Sequence, residues 1–243
     1  MPRILITGAT DGIGLATAAE ALRRGHEVIL HARNASREAD ARNTLREAGV
    51  NIRAARFVHA DFLDLDQVRL MAEKIEDLSA LVHNAGIYVR QSVPDSVQGF
   101  EPTLAVNVLA PHLLTTLLHD RADRVVFVAS DLALRVSVNP KRLPTDRDPA
   151  HAYGQAKAFS ILSALGWAAR KPDWRVGAVH PGWIPTKLAS PHATGEIHQA
   201  VQVLLNAAID PTWAGGNQVG PLVGIADENA AGTYALATLD QAI

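Results

Sequence analysis

Short aliphatic runs recur along the chain, with longer segments of helical period between the first six, and this alternation limits the fold more than any other feature. The runs fall at residues 4–7, 28–31, 57–60, 80–83, 125–129, 176–180 and 233–237, and helical patterns cover 14–24, 37–48, 65–75, 100–118 and 152–170. Strand and helix in repeated alternation imply right-handed βαβ units and a parallel sheet covered on both faces. Strands buried on both faces are nearly continuous in aliphatic residues, as these runs are. The expected fold is α/β: a doubly wound parallel sheet of about seven strands with helices on both faces, in a single domain over 1–243.

Two polar, proline-containing stretches interrupt the pattern, near 132–149 and 183–198. Long excursions in a compact domain are often functional, and these are expected to flank a substrate. The net charge of −2 and the pI near 6.5 leave no basic footprint for nucleic acid. No cysteine is present, which excludes disulfides and thiolate metal sites. The histidines of "HEVILH", His26 and His31, are five apart rather than four and lie on opposite faces of a strand, so they are no zinc pair. No metal is expected. The longest apolar run, 161–169, is far short of a membrane span, and "MPRILITG" is too short for a signal-peptide core. The expected setting is cytoplasmic, with a small-molecule partner and neither nucleic acid nor membrane.

The glycine-rich "TGATDGIG", Thr7 to Gly14, follows the first strand and opens a helix. Gly8, Gly12 and Gly14 permit a tight turn and close backbone approach, and the helix N-terminus beyond offers N–H groups and a positive dipole end to a pyrophosphate. Thr7, Thr10, Asp11 and Ile13 belong to the same candidate cofactor turn. The second strand ends "VILHARN", with Ala32 and Arg33 where an acidic residue would bind a ribose 2′-hydroxyl. A small residue followed by an arginine suits a 2′-phosphate, which a guanidinium meets with forked, charge-assisted contacts. NADP(H) is therefore expected over NAD(H), with Arg33 and Asn34 at that end. Asp61 and Phe62 follow the third strand, and Asp61 is either an acceptor for an adenine amino group or a loop cap. Asn84, Ala85 and Gly86 of "HNAG" close the fourth strand, where Asn84 can brace backbone and Gly86 lets the chain pass a ribose.

Taken with Asn107 in "LAVNVLAP", Ser130 in "VVFVAS", "YGQAK" at Tyr153–Lys157 and "HPGWIPT", these motifs make the sequence resemble the short-chain dehydrogenase/reductase family over nearly its whole length. "LHARN" and "DPAHAYGQAK" are similar to retinol-dehydrogenase-like and polyketide-ketoreductase-like members. The resemblance implies a Rossmann-type, nucleotide-binding oxidoreductase in which Tyr153 is the general acid–base. It further implies that Lys157 binds the nicotinamide ribose and lowers the tyrosine pKa, that Ser130 orients the substrate oxygen, and that Asn107 holds a water in a proton path. Moving a tyrosine from about 10 to near 7 takes roughly 4 kcal/mol, and an ammonium at about 5 Å supplies on the order of 3 kcal/mol at an effective dielectric near 20. Pro181 and Gly182 shape a turn beside the nicotinamide, the Ile184 backbone reaches the carboxamide and Thr186 hydrogen-bonds it, again by resemblance. Asp11 departs from the basic residue that some NADP-binding members carry there.

Around the expected mouth stand Tyr88, Val89, Leu132, Leu134, Trp183 and Leu188, with Arg135 and His192 as polar additions. This lining points to carbonyl reduction of a hydrophobic or aromatic ketone or aldehyde. The alternatives are an alcohol dehydrogenase working oxidatively and a non-catalytic NADP(H) sensor. Family members often dimerise or tetramerise through the helices matching 100–118 and 152–170, and the small residues Ala156, Ala158 and Ser160 suit such an approach.

Overall fold

The computed structural model describes residues 1–189 and 192–243; Ser190 and Pro191, inside the second excursion, lie outside the described residues. Its frame is a seven-stranded sheet, parallel throughout, in the order β3-β2-β1-β4-β5-β6-β7. The strands are β1 (Arg3–Ile6), β2 (Glu27–Ala32), β3 (Ala55–His59), β4 (Ala80–His83), β5 (Arg124–Val128), β6 (Arg175–Val179) and β7 (Gly216–Asn217). Side chains alternate across the pleat, so neighbours along each strand enter different cores. Leu5, Ile29, Leu81, Val125 and Phe127 pack under α3 (Leu65–Ala72), α5 (Ala110–Leu117) and α6 (Pro149–Arg170). Ile4, Ile6, Leu30, Val82 and Val126 face α1 (Gly12–Arg23) and α7 (Ile197–Ile209) on the other side. Strand order reverses between β1 and β4, and the C-terminal ends of those two strands open the crevice where such sheets bind ligands.

Three elements differ from the sequence expectation. The segment expected as the last strand, 233–237, lies inside α8 (Glu228–Asp240), which Asp227 caps by accepting from the Ala230 N–H at 3.0 Å. Its alternation is overridden by packing on α6: a Cβ on Gly166 would come within 2.4 Å of the Gly232 carbonyl oxygen, so only paired glycines let the two helices touch. Strand β7 is instead Gly216–Asn217, paired through Gly177↔Gly216 and Ala178↔Asn217. Helix α7, which no sequence signal had singled out, begins just before the second excursion was expected to end. Finally, the single helix expected over 100–118 is α4 (Pro102–Leu104), a π turn (Ala105–Leu109) and α5. Pro111 has no N–H to give the Asn107 carbonyl four residues back, which favours the wider turn there.

Ala156, Ala158 and Ser160, the small residues of α6, are buried within the chain, with α8 laid along the same helix. Among the described residues no helix is long and apolar enough to cross a membrane. Nor do three or more potential ligands gather anywhere among them as a metal group would require.

Candidate active site

The glycine turn is fixed by its neighbours on β4. Thr7 is fully buried and its hydroxyl accepts from the N–H groups of Asn84 and Ala85, both at 3.0 Å, while Asn84 Nδ2 donates to the carbonyls of Thr7 (2.9 Å) and Gly8 (3.3 Å). A Cβ at Gly14 would lie 2.4 Å from Asn84 Nδ2, and one at Gly8, where φ is +63°, 2.8 Å from the Ala85 Cα. The glycines therefore let β1 and β4 meet, and Gly12 opens α1. Thr186, from the segment after β6, comes down on that spot, its Cγ2 standing 3.1 Å from where a Gly12 Cβ would be. Ile184, two residues earlier, is buried, and Gly182 takes the left-handed φ of +92° beside Pro181.

One residue holding this turn was missed in the sequence. His31, buried at the end of β2, accepts from the Gly8 N–H at Nδ1 (3.0 Å) and donates from Nε2 to the Ala60 carbonyl (2.9 Å). Those two bonds need the neutral ring, and burial pulls its pKa down to about 4. Phe62 stacks on the imidazole with ring centroids 4.2 Å apart and is itself buried, so its ring backs the histidine while only its backbone is left for a ligand. Asp61 uses Oδ1 to accept from the Leu63 N–H at 3.0 Å, a loop-capping contact. The signal available in the sequence was a lone polar residue in the inward register of an aliphatic strand.

The adenosine end carries more charge than Arg33 alone. Arg33 is exposed, and Asn34 caps α2 (Ala35–Glu47) by accepting from the Arg37 N–H at 3.0 Å. Asp11 caps α1 through Gly12 and also holds two cations, Arg37 Nη2 at 3.2 Å and Lys187 Nζ at 2.6 Å. Partial burial opposes its ionisation, but Lys187, the Gly12 N–H and Arg37 together outweigh burial and keep its pKa below the usual carboxylate range. Neither Arg37 nor Lys187 belongs to a motif. Thr10 sits in the turn, half-buried, between Ala9 and Asp11.

Tyr153 and Lys157 lie one turn apart on α6, and both are buried. Lys157 Nζ stands 5.5 Å from the Tyr153 ring centroid and donates to the Val128 carbonyl at 2.7 Å. Burial brings the lysine down to about 8. The tyrosine is pushed upward, by burial first and then by Asp131 and Tyr88. The ammonium is turned onto that carbonyl, and burial sets the net direction at Tyr153. Asn107, in the π turn, spends both ends of its amide on Ile87, accepting from its N–H at 2.8 Å and donating to its carbonyl at 3.0 Å. Gly86 leaves a gap before it: a Cβ there would be 3.4 Å from Asn107 Oδ1 and 3.7 Å from Lys157 Nζ. A cradle ending at a buried ammonium and an amide suits a polar ribose, so these residues fit a nicotinamide dinucleotide.

Ser130 follows β5 and starts the 3-10 turn Asp131–Arg135, accepting from the Leu132 N–H at 3.3 Å. Tyr88 tilts against Tyr153 with centroids 5.3 Å apart, and Arg90 stands over the Tyr88 ring while donating to the Leu188 carbonyl at 2.8 Å. Trp183 is half-exposed, whereas Leu134 turns toward Gly220. Asn107, Ser130, Tyr153 and Lys157 are all set at the C-terminal side of β4 and β5, as are the glycine turn and the segment after β6. A cavity of about 610 Å³ opens at the opposite end of the sheet, but its Arg121 and Arg124 are spent on helix-end carbonyls of Ala72, Ile75, Ala207 and Asp210.

Known proteins share both sequence and shape with this chain. An uncharacterised oxidoreductase of Emericella nidulans is 31% identical over 215 residues, covering 86% of this chain and 80% of that protein. A Streptomyces protein assigned as a daunorubicin C-13 ketoreductase is 36% identical over 197 residues, 76% of this chain and 67% of its own. The solved structure of a Burkholderia multivorans chain, described as a short-chain dehydrogenase/reductase with bound NADP, superposes with a TM-score of 0.69 at 25% identity, covering 89% of this chain and 94% of that one. Residues 2–196 match the short chain dehydrogenase family itself, and the chain belongs to that family of oxidoreductases.

Proposed function

We propose that the protein is an NADP(H)-dependent carbonyl reductase for hydrophobic or aromatic ketones and aldehydes, working in a cytoplasmic setting, with Tyr153 as its acid. The observation that carries this reading is a buried tyrosine one helical turn from a buried lysine, beside Ser130 and below a glycine cradle. Gly8–Gly14 would hold the pyrophosphate of the dinucleotide, Gly86 its ribose and Thr186 its nicotinamide end, and the reduced cofactor would supply the hydride. The chain's own residues do the rest. Ser130 donates a hydrogen bond to the carbonyl oxygen and holds it toward Tyr153, where negative charge develops. Tyr153, neutral at physiological pH as an ordinary phenol is and further held so by burial, gives that oxygen its proton. Lys157 holds the ribose from below, and Asn107 keeps the Ile87 backbone in place at the edge of the cradle. Arg33, with Arg37 beside it, meets the 2′-phosphate. Tyr88, Trp183 and Leu132 offer the apolar wall of the mouth. The likeness to the ketoreductase and to a chain that binds NADP supports both halves of the reading.

The test is NADPH oxidation with a panel of aromatic and aliphatic ketones and aldehydes, comparing wild type with Tyr153→Phe. The expected result is turnover that falls by roughly 10²–10⁴-fold in the variant while NADPH still binds. Undiminished turnover in Tyr153→Phe, or none in wild type across the panel, would sink the proposal.

A further inference from the structure

Lys187 belongs to no motif, yet it reaches the glycine turn from across the sheet. It follows β6, which is separated from β1 by β4 and β5. Its Nζ stands 2.6 Å from Asp11 Oδ2, the same oxygen that takes Arg37 Nη2 at 3.2 Å. The other carboxylate oxygen caps α1 by accepting from the Gly12 N–H at 2.8 Å. Three elements therefore converge on one carboxylate: the head of α1, the first turn of α2 and the segment after β6. That segment is fastened on both sides of Lys187. Thr186 lies over Gly12, and the Leu188 carbonyl accepts from Arg90 at 2.8 Å. The lysine is thus brought to the turn by its neighbours in the chain.

The charges gathered there do not cancel. Arg33 begins the turn that Arg37 ends, and Lys187 adds a third cation. Against them stand Asp11 and, 3.8 Å from Arg37 Nη1, Asp40. Glu38, the next carboxylate along α2, is taken by Arg42 and His59. Cations that meet on one carboxylate oxygen lie close enough for one phosphate to span them. The Lys187 side chain is 79% exposed, and an exposed ion pair contributes little, so passing the ammonium from carboxylate to phosphate costs little.

We propose that Lys187 is a specificity-determining residue for the cofactor: with Arg37 it turns from Asp11 to the 2′-phosphate of NADP(H). This rests on the 2′-phosphate assignment of the proposed function. Asp11 keeps the ammonium at the turn before the nucleotide arrives. As a like charge it also opposes the phosphate, and the lysine offsets that opposition. The segment that carries Trp183 and Leu188 to the substrate mouth thereby grips the adenosine end of the cofactor as well.

The experiment is calorimetric titration of the full chain with 2′,5′-ADP and with 5′-AMP at fixed salt. Both probes carry the adenosine end without the nicotinamide, and they differ only in the 2′-phosphate. Lys187→Gln should weaken 2′,5′-ADP by roughly three- to ten-fold, a contact screened by solvent, and leave 5′-AMP nearly unchanged. The decisive comparison repeats Lys187→Gln on an Asp11→Asn background. A lysine that merely neutralises Asp11 matters only while Asp11 is charged, whereas one that binds phosphate matters without it. The loss of about three- to ten-fold should therefore persist on that background. Its disappearance there overturns the proposal, and so does equal weakening of the two probes. If Arg33→Ala removes the preference for 2′,5′-ADP while Lys187→Gln leaves it intact, Lys187 alone is misassigned. A wild type that binds 2′,5′-ADP no more tightly than 5′-AMP removes the NADP(H) reading and this inference together.

Discussion

Arg33 and Arg37 stand at the two ends of one turn beyond β2, and they differ in what already holds them. Arg33 is exposed, while Arg37 is paired with Asp11, which also holds Lys187. A charge-assisted contact to a phosphate is worth about 1.5–3 kcal/mol, or roughly 10- to 100-fold in affinity. Arg33→Ala is therefore expected to weaken NADPH by that factor and NADH hardly at all, in fluorescence titrations at fixed salt. Arg37→Ala should follow with a smaller loss. Asp11→Asn should tighten NADPH several-fold, because it removes a like charge and frees both cations. Equal weakening of the two nucleotides by Arg33→Ala would show that no 2′-phosphate sits there. Arginine after a small residue on β2 is a candidate phosphate contact that chain position alone suggests. Arg37, Lys187 and His31 were not legible in that way, because each acts through a partner on a different element, and spacing along the chain carries no trace of such pairings.

At the scale of elements, six of the seven strands could be read because a strand buried on both faces leaves an aliphatic run. The seventh left none: β7 is built from Gly216 and Asn217, and Gly177 on β6 must also be glycine, since a Cβ there would come within 2.7 Å of the Gly216 carbonyl oxygen. Such an edge is held by backbone alone and has no hydrophobic signature. The misread segment 233–237 shows the reverse, a β-like pattern drawn into helix by its partner. The same crossing yields a test. Alanine is worth about 1 kcal/mol more than glycine inside a helix, so Gly166→Ala would be stabilising if α6 were free on that side. With its Cβ 2.4 Å from the Gly232 oxygen and 2.6 Å from Leu236 Cγ, it should instead destabilise by about 1–3 kcal/mol, read as a lower urea midpoint. A raised midpoint would mean that α8 is not seated on α6. The misreading does not reach the candidate site, whose residues stand on the glycine turn, the ends of β4 and β5, the π turn and α6, while β7 and α8 form the flank.

Across the molecule, three buried histidines among the described residues join separate elements, and all three are kept neutral. His31 anchors the glycine turn, His83 shares a 2.7 Å hydrogen bond with Thr115 of α5, and His112 of α5 meets Asp240 of α8 at 3.0 Å. Burial lowers them to about 4, about 3 and about 4; at His112 it outweighs the upward pull of Asp240. In the unfolded chain each would titrate near 6.5. The unfolded state thus binds more protons below that pH, and stability that is fully present above 6.5 is lost as pH falls toward 4. Each histidine contributes a slope of about 1.4 kcal/mol per pH unit, so the three together approach roughly 4 kcal/mol per unit between pH 6 and 4.5. The carboxylates held low by partners, such as Asp11 and Asp240, act with the same sign but below about pH 4, outside this window. Urea denaturation at half-unit steps should therefore show stability nearly level above about pH 7.5, bending downward through 6.5 and then falling steeply, with uptake of nearly three protons on unfolding near pH 5. His83→Gln, which keeps a hydrogen-bonding side chain that cannot titrate, should remove about one proton from that count. Constant stability between pH 6.5 and 5 would mean that these rings accept protons in the folded state, and that the glycine turn and α8 are held by something other than neutral imidazoles.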